Sequence, residues 1–473
     1  MKKLVYLFVI SCTFLCQTLQ AQDVDTLSLL EAVFTSYHHQ MPGVAAAVSI
    51  DGRVVFNKIY GLANLEYNVP NTTQTLFEAG SVSKQFVAAG VLLLIKEGKV
   101  ALNDDVRLYV PELPDYGATI TVDMLLSHTS GLKDWGALYS LTGWPRTTRV
   151  YTQELGWDII FRQQSLNFPP GTQYSYSNSN YMLLVLILER VSGQTLAQFT
   201  EEHFFKPLGM NATRWRDNHL TVVPHRATAY RDDDLSKGFL LNMPFEDLHG
   251  PGGLLTTTAD LLRWNRLHES LEILGAEYAA NRITERTLLN GEPVGYAAGH
   301  TVGTFRGYRE IAHSGSTGGY RAWLAWYPER KLSIVLLSNY AQFPPVTIGR
   351  LIAALFLPEK AAPLTKAEAV ELAIAEEPAK TEERVAQTPP DLLEYEGTYY
   401  SADIDTRYSL AVKENVLCVS RKAGDTFELT YVAPDVFSSE GNGRYIFKRN
   451  SSGKVEGFSV SVLRAQNVPF TLF

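Results

Sequence analysis

Residues 77–86 of the chain have the sequence FEAGSVSKQF, and this stretch largely decides how the fold is interpreted. Small and polar residues lead up to Ser81, and apolar residues then recur at helical spacing until Gly98. The pattern predicts a loop that enters a buried helix, with Ser81 at its beginning. Because residues three apart lie on one face of a helix, Lys84 can reach the Ser81 hydroxyl. A buried lysine of lowered pKa is a suitable base for a serine nucleophile.

The same Ser-x-x-Lys spacing also occurs at residues 451–454. That second match lies between two short strand-like runs, in a turn rich in Gly and Asn, with no apolar helix after it. We interpret it as a solvated hairpin tip. Only the first match has unpaired backbone N–H groups of a predicted helix beside its serine, where an oxyanion would form.

A second polar motif precedes another apolar helix. Residues 168–181 contain Pro-Pro-Gly followed by a cluster of Ser and Asn, which predicts a loop. Tyr176 and Asn178 are two apart, so in an extended segment they project to one side. A phenol could pass a proton to a leaving group, and an amide could hold Lys84 and a substrate carbonyl. The alternative is a core tyrosine beside an asparagine that caps a turn.

Two further segments contain glycine turns, LLSHTSGL at residues 125–132 and GPGG at residues 250–253. His128 lies within LLSHTSGL, where it is either a general base or a histidine that fixes the turn at Gly131 through hydrogen bonds. The sequence GPGG at residues 250–253 lacks the spacing of a phosphate-binding loop, so we expect a tight turn close to the site.

The strand signals predict an antiparallel sheet. Two extended runs, 43–50 and 53–60, are joined by Asp-Gly, which is typical of a β-hairpin. The runs 308–315, 320–327 and 331–338 predict an antiparallel meander, followed by an amphipathic helix at 346–356. Residues between these two groups are mostly helical in pattern. The expected fold class is α/β (α+β), with the sheet flanked by helices and accompanied by a helical subdomain.

The two ends of the chain differ from this central part. A charged start and a short apolar run predict a signal peptide at residues 1–21, cleaved after Ala21, and therefore a periplasmic or secreted protein. Lipoprotein processing at Cys12 is the alternative. A linker rich in Pro, Ala, Glu and Lys is expected at 361–389, between a catalytic domain at 22–360 and a β-domain at 390–473. Its short alternating strands predict a small antiparallel barrel or sandwich.

Composition limits the possible partners and cofactors. The chain of 473 residues has 42 Lys and Arg against 50 Asp and Glu, a formal charge of −8, with no basic cluster. Nucleic acid is therefore not an expected partner. Cleavage of the signal would leave Cys418 as the one cysteine, so no intramolecular disulfide is expected. The sequence has no HExxH or comparable metal motif, and we predict no metal, no cofactor and no membrane span in the mature chain.

Three separated motifs together resemble one family. Ser-x-x-Lys at 81–84, Tyr-x-Asn at 176–178 and His-Ser-Gly at 313–315 occur in the order typical of serine β-lactamase-related proteins. The middle motif is that of the class C type, and the family also includes penicillin-binding proteins and esterases. The resemblance covers about residues 25–360. It implies a β-lactamase/transpeptidase-like fold for that part of the chain.

The resemblance also implies roles for individual residues. Ser81 is similar to the acylated nucleophile, Lys84 to its base partner, and Tyr176 to the residue that shuttles protons to the leaving group. Asn178 resembles the residue that orients Lys84 and the substrate. The backbone N–H groups of Ser81 and Ser316 would form the oxyanion hole, and water would hydrolyse the acyl-enzyme.

The third motif departs from the usual pattern. His313 stands where cephalosporin-hydrolysing members have lysine, followed by Gly315 on the strand expected to bind the substrate. A mostly neutral imidazole attracts a substrate carboxylate less strongly than an ammonium does. We therefore expect an ester, a D-amino-acid amide or a D-peptide as substrate. The alternatives are a D,D-peptidase acting on cell-wall peptides, a β-lactamase, and a penicillin-binding sensor that does not turn over.

Overall fold

The structure is a computed structural model that describes most of the chain. The predicted signal peptide and the predicted linker both lie outside the described residues, and both stay predictions. Within the described part, no helix is both long and apolar enough to cross a membrane. The described residues are 26–144, 149–233, 238–268, 273, 275–359, 391–422 and 424–473.

The N-terminal region, residues 26–359, contains one large sheet and several short strand pairs. Its strands are β1 (Val44–Ile50), β2 (Arg53–Tyr60), β3 (Leu62–Asn64), β4 (Val69–Pro70), β5 (Phe77–Glu78), β6 (Tyr151–Thr152), β7 (Arg214–Trp215), β8 (Tyr230–Asp232), β9 (Phe239–Leu241), β10 (Glu246–Asp247), β11 (Leu254–Thr256), β12 (Thr301–Phe305), β13 (Tyr308–Thr317), β14 (Tyr320–Tyr327) and β15 (Leu332–Ser338).

Helices surround that sheet and form a separate helical layer. They are α1 (residues 26–33), α2 (Lys84–Lys96), α3 (Val122–Leu126), α4 (Trp135–Leu141), α5 (Gln153–Phe161), α6 (Asn178–Ser192), α7 (Leu196–Thr200), α8 (Lys206–Leu208), α9 (Thr258–Asn265), α10 (Ala276–Ile283) and α11 (Pro345–Phe356), with a π-helical turn at Glu201–Phe205.

The large sheet is antiparallel throughout, in the order β12, β13, β14, β15, β1, β2. Successive side chains of a strand point to opposite faces, and β1 is buried on both. Val44 and Ala46 pack in one core with Leu30 of α1 and Ile352 of α11. Ala45 belongs to the larger core, which contains most of the helical layer. The predicted fold class is therefore confirmed, and the predicted hairpin and meander are both present.

The turn that holds Ser81 differs from the predicted helix. Residues Gly80–Ser83 form a 3₁₀ turn, and the α-helix begins only at Lys84. In a 3₁₀ helix, residues three apart eclipse each other, so this turn places Lys84 more directly beside Ser81 than an α-helical turn would. Gly80 takes a left-handed φ of 52°, which glycine adopts without steric cost.

The C-terminal region, residues 391–473, is a closed eight-stranded barrel. Of the two predicted architectures, barrel or sandwich, the structure has the barrel. Alternate side chains point inward, as the burial pattern of Thr406–Lys413 shows. Its strands are β16 (Gly397–Ser401), β17 (Thr406–Lys413), β18 (Val416–Lys422), β19 (Asp425–Ala433), β20 (Val436–Ser439), β21 (Gly443–Arg449), β22 (Val455–Val462) and β23 (Ala465–Leu472).

Candidate active site

Ser81 and Lys84 are in direct contact at the start of α2. Lys84 Nζ lies 3.1 Å from Ser81 Oγ. The same amine donates to Asn178 Oδ1 at 2.9 Å and to the carbonyl oxygen of Pro251 at 3.3 Å. The GPGG turn therefore does lie beside the site, as the sequence predicts. Lys84 therefore contacts three elements: the 3₁₀ turn at Ser81, α6, and the GPGG turn.

Burial determines the ionisation of Lys84. The side chain is 0% exposed, and this burial lowers the pKa of the amine well below its usual value. The carboxylate of Asp134 opposes the lowering, and the positive charge of Arg464 adds to it. A neutral amine has a lone pair that can accept the Ser81 proton, so this arrangement can activate the hydroxyl.

Tyr176 and Asn178 enter the site from the loop before α6, whose first residue is Asn178. The ring of Tyr176 has its centroid 4.9 Å from Lys84 Nζ. Its hydroxyl is buried and has no well-aligned hydrogen-bond partner in the described structure. Burial raises the pKa of Tyr176, and the nearby Ser81 side chain partly opposes this. The resting side chain is thus a protonated phenol with a proton to donate.

Asp134 supports this arrangement, and the sequence analysis missed it. One carboxylate oxygen accepts a hydrogen bond of 2.6 Å from the backbone N–H of Asn178. The other accepts from the N–H of Ala137 at 2.9 Å and so caps α4. In the sequence, Asp134 directly precedes an apolar helix. That position predicts a helix cap, but it does not predict the contact with the backbone of Asn178.

The strand β13 passes directly beside the Ser81 turn. A Cβ atom on Gly80 would lie 2.6 Å from the backbone nitrogen of Ser316, and one on Gly315 would lie 2.0 Å from the carbonyl oxygen of Ala79. Only glycine permits this approach, which brings the backbone of Ser316 next to Ser81. The predicted oxyanion-hole pair is therefore adjacent, and its role stays a prediction.

His313 lies on the same strand, and both of its ring nitrogens are occupied. Nδ1 is 2.6 Å from the carbonyl oxygen of Ser314, to which it must donate, and Nε2 lies 2.9 Å from the hydroxyl of Tyr296. Burial, with a contribution from Lys84, lowers the pKa of His313 to about 3. The imidazole is neutral, and in this structure no free nitrogen is available to bind a substrate.

His128 fixes the loop of the second motif. Its Nδ1 accepts from the backbone N–H of Ser177 at 3.2 Å and lies 3.1 Å from Asn180 Nδ2. The ring is buried, and this lowers its pKa well below the usual value. These contacts favour a structural histidine over a general base. They go to Ser177 just before α6 and to Asn180 in its first turn, and not to the turn at Gly131.

The described part of the chain has no candidate metal site. Among the described residues, no group of three or more His, Cys, Asp or Glu side chains could hold a metal ion. The prediction that the protein needs no metal or cofactor stays a prediction.

Comparison with known proteins decides the family. The model of the Beta-lactamase family matches residues 21–356, which is most of the chain. The chain belongs to the Beta-lactamase family. The predicted membership of the β-lactamase-related serine hydrolases is thereby confirmed.

The relatives that are similar to this chain in sequence include a penicillin-binding protein and several D-aminopeptidases. Penicillin-binding protein 4* of Bacillus subtilis is 28% identical over 313 residues, covering 64% of this chain and 68% of that protein. D-aminopeptidases of Brucella anthropi and Gluconobacter oxydans are both 27% identical, over 64% and 69% of this chain. The chain spans only 57% and 61% of the length of these two D-aminopeptidases.

Solved structures share the fold of this chain. An octameric penicillin-binding protein homologue from Pyrococcus abyssi matches 94% of this chain and 99% of its own, with a TM-score of 0.63 and 23% identity. A D-amino acid amidase from Ochrobactrum anthropi covers 67% of this chain and 92% of its own, with a TM-score of 0.57 and 22% identity. The match to the first of these extends over both the N-terminal region and the barrel.

Proposed function

We propose that the protein is a serine hydrolase that cleaves D-amino-acid amides, D-peptides or esters through an acyl-enzyme on Ser81. The observation that carries the proposal is the 3.1 Å contact between Ser81 Oγ and the fully buried amine of Lys84. The preference for D-amino-acid amides or peptides draws support from the relatives named D-aminopeptidase.

In the proposed acylation, Lys84 and Tyr176 transfer protons while Ser81 attacks the substrate. Ser81 Oγ attacks the substrate carbonyl carbon while its proton passes to Lys84 Nζ. The carbonyl oxygen becomes an oxyanion beside the backbone N–H groups of Ser81 and Ser316. As the bond to the leaving group breaks, Tyr176 donates its proton to that group and regains one from Lys84.

The proposed deacylation reverses these proton transfers. Water attacks the ester carbon and gives a proton to the Tyr176 and Lys84 pair, and that proton returns to Ser81 Oγ when the acid leaves. Asn178 would keep the amine in place through both half-reactions, because its own backbone is held by Asp134.

The neutral His313 makes a dedicated β-lactamase the less favoured function. The carboxylate of a β-lactam would find no positive charge on this histidine, since its pKa is lowered to about 3.

The test compares four substrates with the wild type and Ser81→Ala. They are D-alanine p-nitroanilide, its L-enantiomer, p-nitrophenyl acetate and nitrocefin. We expect the D-anilide to be preferred over the L-anilide by at least about tenfold, and the variant to lose at least about a thousandfold in kcat/KM. Ser451→Ala, in the second Ser-x-x-Lys match, is the matched control and should retain full activity.

Mass spectrometry with a slow ester or penicillin then locates the acyl group. A mass increase on the peptide that contains Ser81 supports the proposal. Unchanged hydrolysis by Ser81→Ala, or an acyl group on another residue, would contradict it.

A further inference from the structure

One residue of the barrel reaches the candidate active site. Arg464 lies in the turn between β22 and β23, and its guanidinium carbon is 4.9 Å from the ring centroid of Tyr176. The turn is anchored, because the carbonyl oxygen of Arg464 accepts hydrogen bonds from Asp134 N at 2.9 Å and from Asn167 Nδ2 at 3.1 Å. A third bond joins Gln466 N to Asn167 Oδ1 at 2.8 Å.

The charge of Arg464 acts within the site. It contributes to lowering the pKa of both Lys84 and His128, and it opposes the rise in the pKa of Tyr176 and Tyr174. The side chain is half-buried, and among the described residues its guanidinium has no carboxylate partner. A guanidinium remains charged under all ordinary conditions, so this positive charge is permanent.

Other basic groups around Ser81 are already engaged. Lys84 makes three hydrogen bonds from a fully buried position. His313 is neutral, with both nitrogens in hydrogen bonds. Lys133 forms a buried ion pair with Asp403 at 3.8 Å. Arg464 is thus the group in this part of the described structure that can receive an anion without losing an existing partner.

We propose that Arg464 binds a carboxylate of the substrate, so that the barrel supplies the anion site that the neutral His313 does not. The planar guanidinium can bind a carboxylate through two parallel hydrogen bonds. Its position over Tyr176, the proposed proton donor to the leaving group, places this carboxylate on the leaving-group side. The substrate class is then a peptide that ends in a free D-amino acid, an inference that rests on the proposed function.

The test compares two peptides that differ only in the C-terminal group, so that a general change in the reactivity of Ser81 affects both equally. The full chain is assayed with N-acetyl-D-alanyl-D-alanine and with its C-terminal amide, and the discrimination ratio is kcat/KM for the acid divided by kcat/KM for the amide. We expect the wild type to favour the acid. Arg464→Gln should lower the ratio by about 10- to 100-fold, mainly through KM of the acid, because it loses a charged hydrogen bond. Arg464→Lys should retain part of the preference for the acid, because it keeps a positive charge.

Arg407→Gln is the matched control, since Arg407 is an exposed arginine of the same barrel, stacked on Phe473 at 4.5 Å. It should keep the wild-type ratio. An equal loss on both peptides in Arg464→Gln, or no change in the ratio, would overturn the proposal. Thermal unfolding of each variant shows that the barrel remains folded.

Hydrolysis of p-nitrophenyl acetate separates this proposal from the proposed function. If the ester is hydrolysed in a Ser81-dependent way and the wild type does not favour the acid, the carboxylate site is wrong and the serine mechanism stands. If neither ester nor peptide depends on Ser81, the proposed function fails first and the carboxylate inference falls with it.

Discussion

Two charges act on the amine of Lys84 in addition to its burial. Burial and Arg464 lower its pKa, while Asp134 raises it. The amine is therefore neutral over a pH range in which an exposed lysine would be charged. A base must be neutral to accept a proton, so activity should increase as the pH rises through this lowered pKa and should then remain level.

The first prediction concerns Lys84→Arg. Arginine stays protonated and cannot act as a base, so kcat/KM for p-nitrophenyl acetate should fall by about 10²- to 10⁴-fold across the pH range. Lys58→Arg, an exposed lysine on β2, is the control and should keep the wild-type pH profile. Substantial activity in Lys84→Arg, with an unchanged acid limb, would rule out Lys84 as the base.

The second prediction concerns Asp134→Asn. The amide keeps an oxygen that can accept a hydrogen bond but removes the charge that raises the pKa of Lys84. We expect the acid limb of the pH profile to move to lower pH. The plateau rate should fall by about three- to tenfold, because one charged hydrogen bond becomes neutral. Asp115→Asn, on the surface, should leave the profile in place, and an acid limb moved to higher pH would contradict the prediction.

At the scale of elements, the 3₁₀ turn and β13 must approach each other closely. Gly80 and Gly315 make this possible because neither has a Cβ atom at the point of contact. Behind the turn, Glu78 of β5 pairs with the buried guanidinium of Arg216 at 3.3 Å. The two glycine contacts join the turn of the nucleophile to β13 of the large sheet, so the position of the oxyanion hole depends on how these two elements pack.

The third prediction compares two glycines with positive φ. Gly80→Ala places a Cβ atom 2.6 Å from Ser316 N, and should lower kcat by about 10²- to 10³-fold by displacing β13 from the turn. Gly52→Ala, at φ 74° with open space around it, has the same backbone cost without the clash. Gly52→Ala should lose about 1 kcal/mol of unfolding free energy, and Gly80→Ala should lose more, because its clash with Ser316 N adds to the same backbone cost. Equal activity in the two variants would show that the close approach is not needed.

At the scale of the whole molecule, the barrel packs against the helical layer through a polar junction. Lys133 and Asp403 form an ion pair whose side chains are 0% and 4% exposed. Lys133 Nζ also donates to Ser165 Oγ at 2.9 Å, and Gln163 Nε2 donates to the carbonyl oxygen of Asp403 at 2.9 Å. Because the Arg464 turn belongs to the same barrel, this junction helps to position that arginine.

The fourth prediction is a double-mutant cycle at the junction. Lys133→Met or Asp403→Leu alone leaves a buried charge unpaired, and each should lower the unfolding free energy by about 3–5 kcal/mol. The double variant should be more stable than either single variant. The exposed pair Arg162 and Asp405, also 3.8 Å apart, is the control, with effects below about 1 kcal/mol. Denaturant unfolding measures all six variants, and strict additivity at the buried pair would contradict the prediction.

Local patterns in the sequence were sufficient to predict residues that the structure brings together in the candidate site. The spacing of Ser81 and Lys84, and the loop that carries Tyr176 and Asn178, depend on near neighbours along the chain. The antiparallel strands followed from alternation and turn residues. The prediction of a helix that begins at Ser81 did not distinguish a 3₁₀ turn from an α-helical turn, because the two have nearly the same sequence preferences.

The sequence by itself therefore determined the family, the fold class and the residues of the three motifs. Only the tertiary structure decided which distant groups complete the site: Asp134 beneath Asn178, Tyr296 on His313, and Arg464 from the barrel. The physical reason is that motif residues are placed by local backbone geometry. Contacts between remote segments arise instead from the packing of whole elements, and no periodicity or spacing in the sequence encodes that packing.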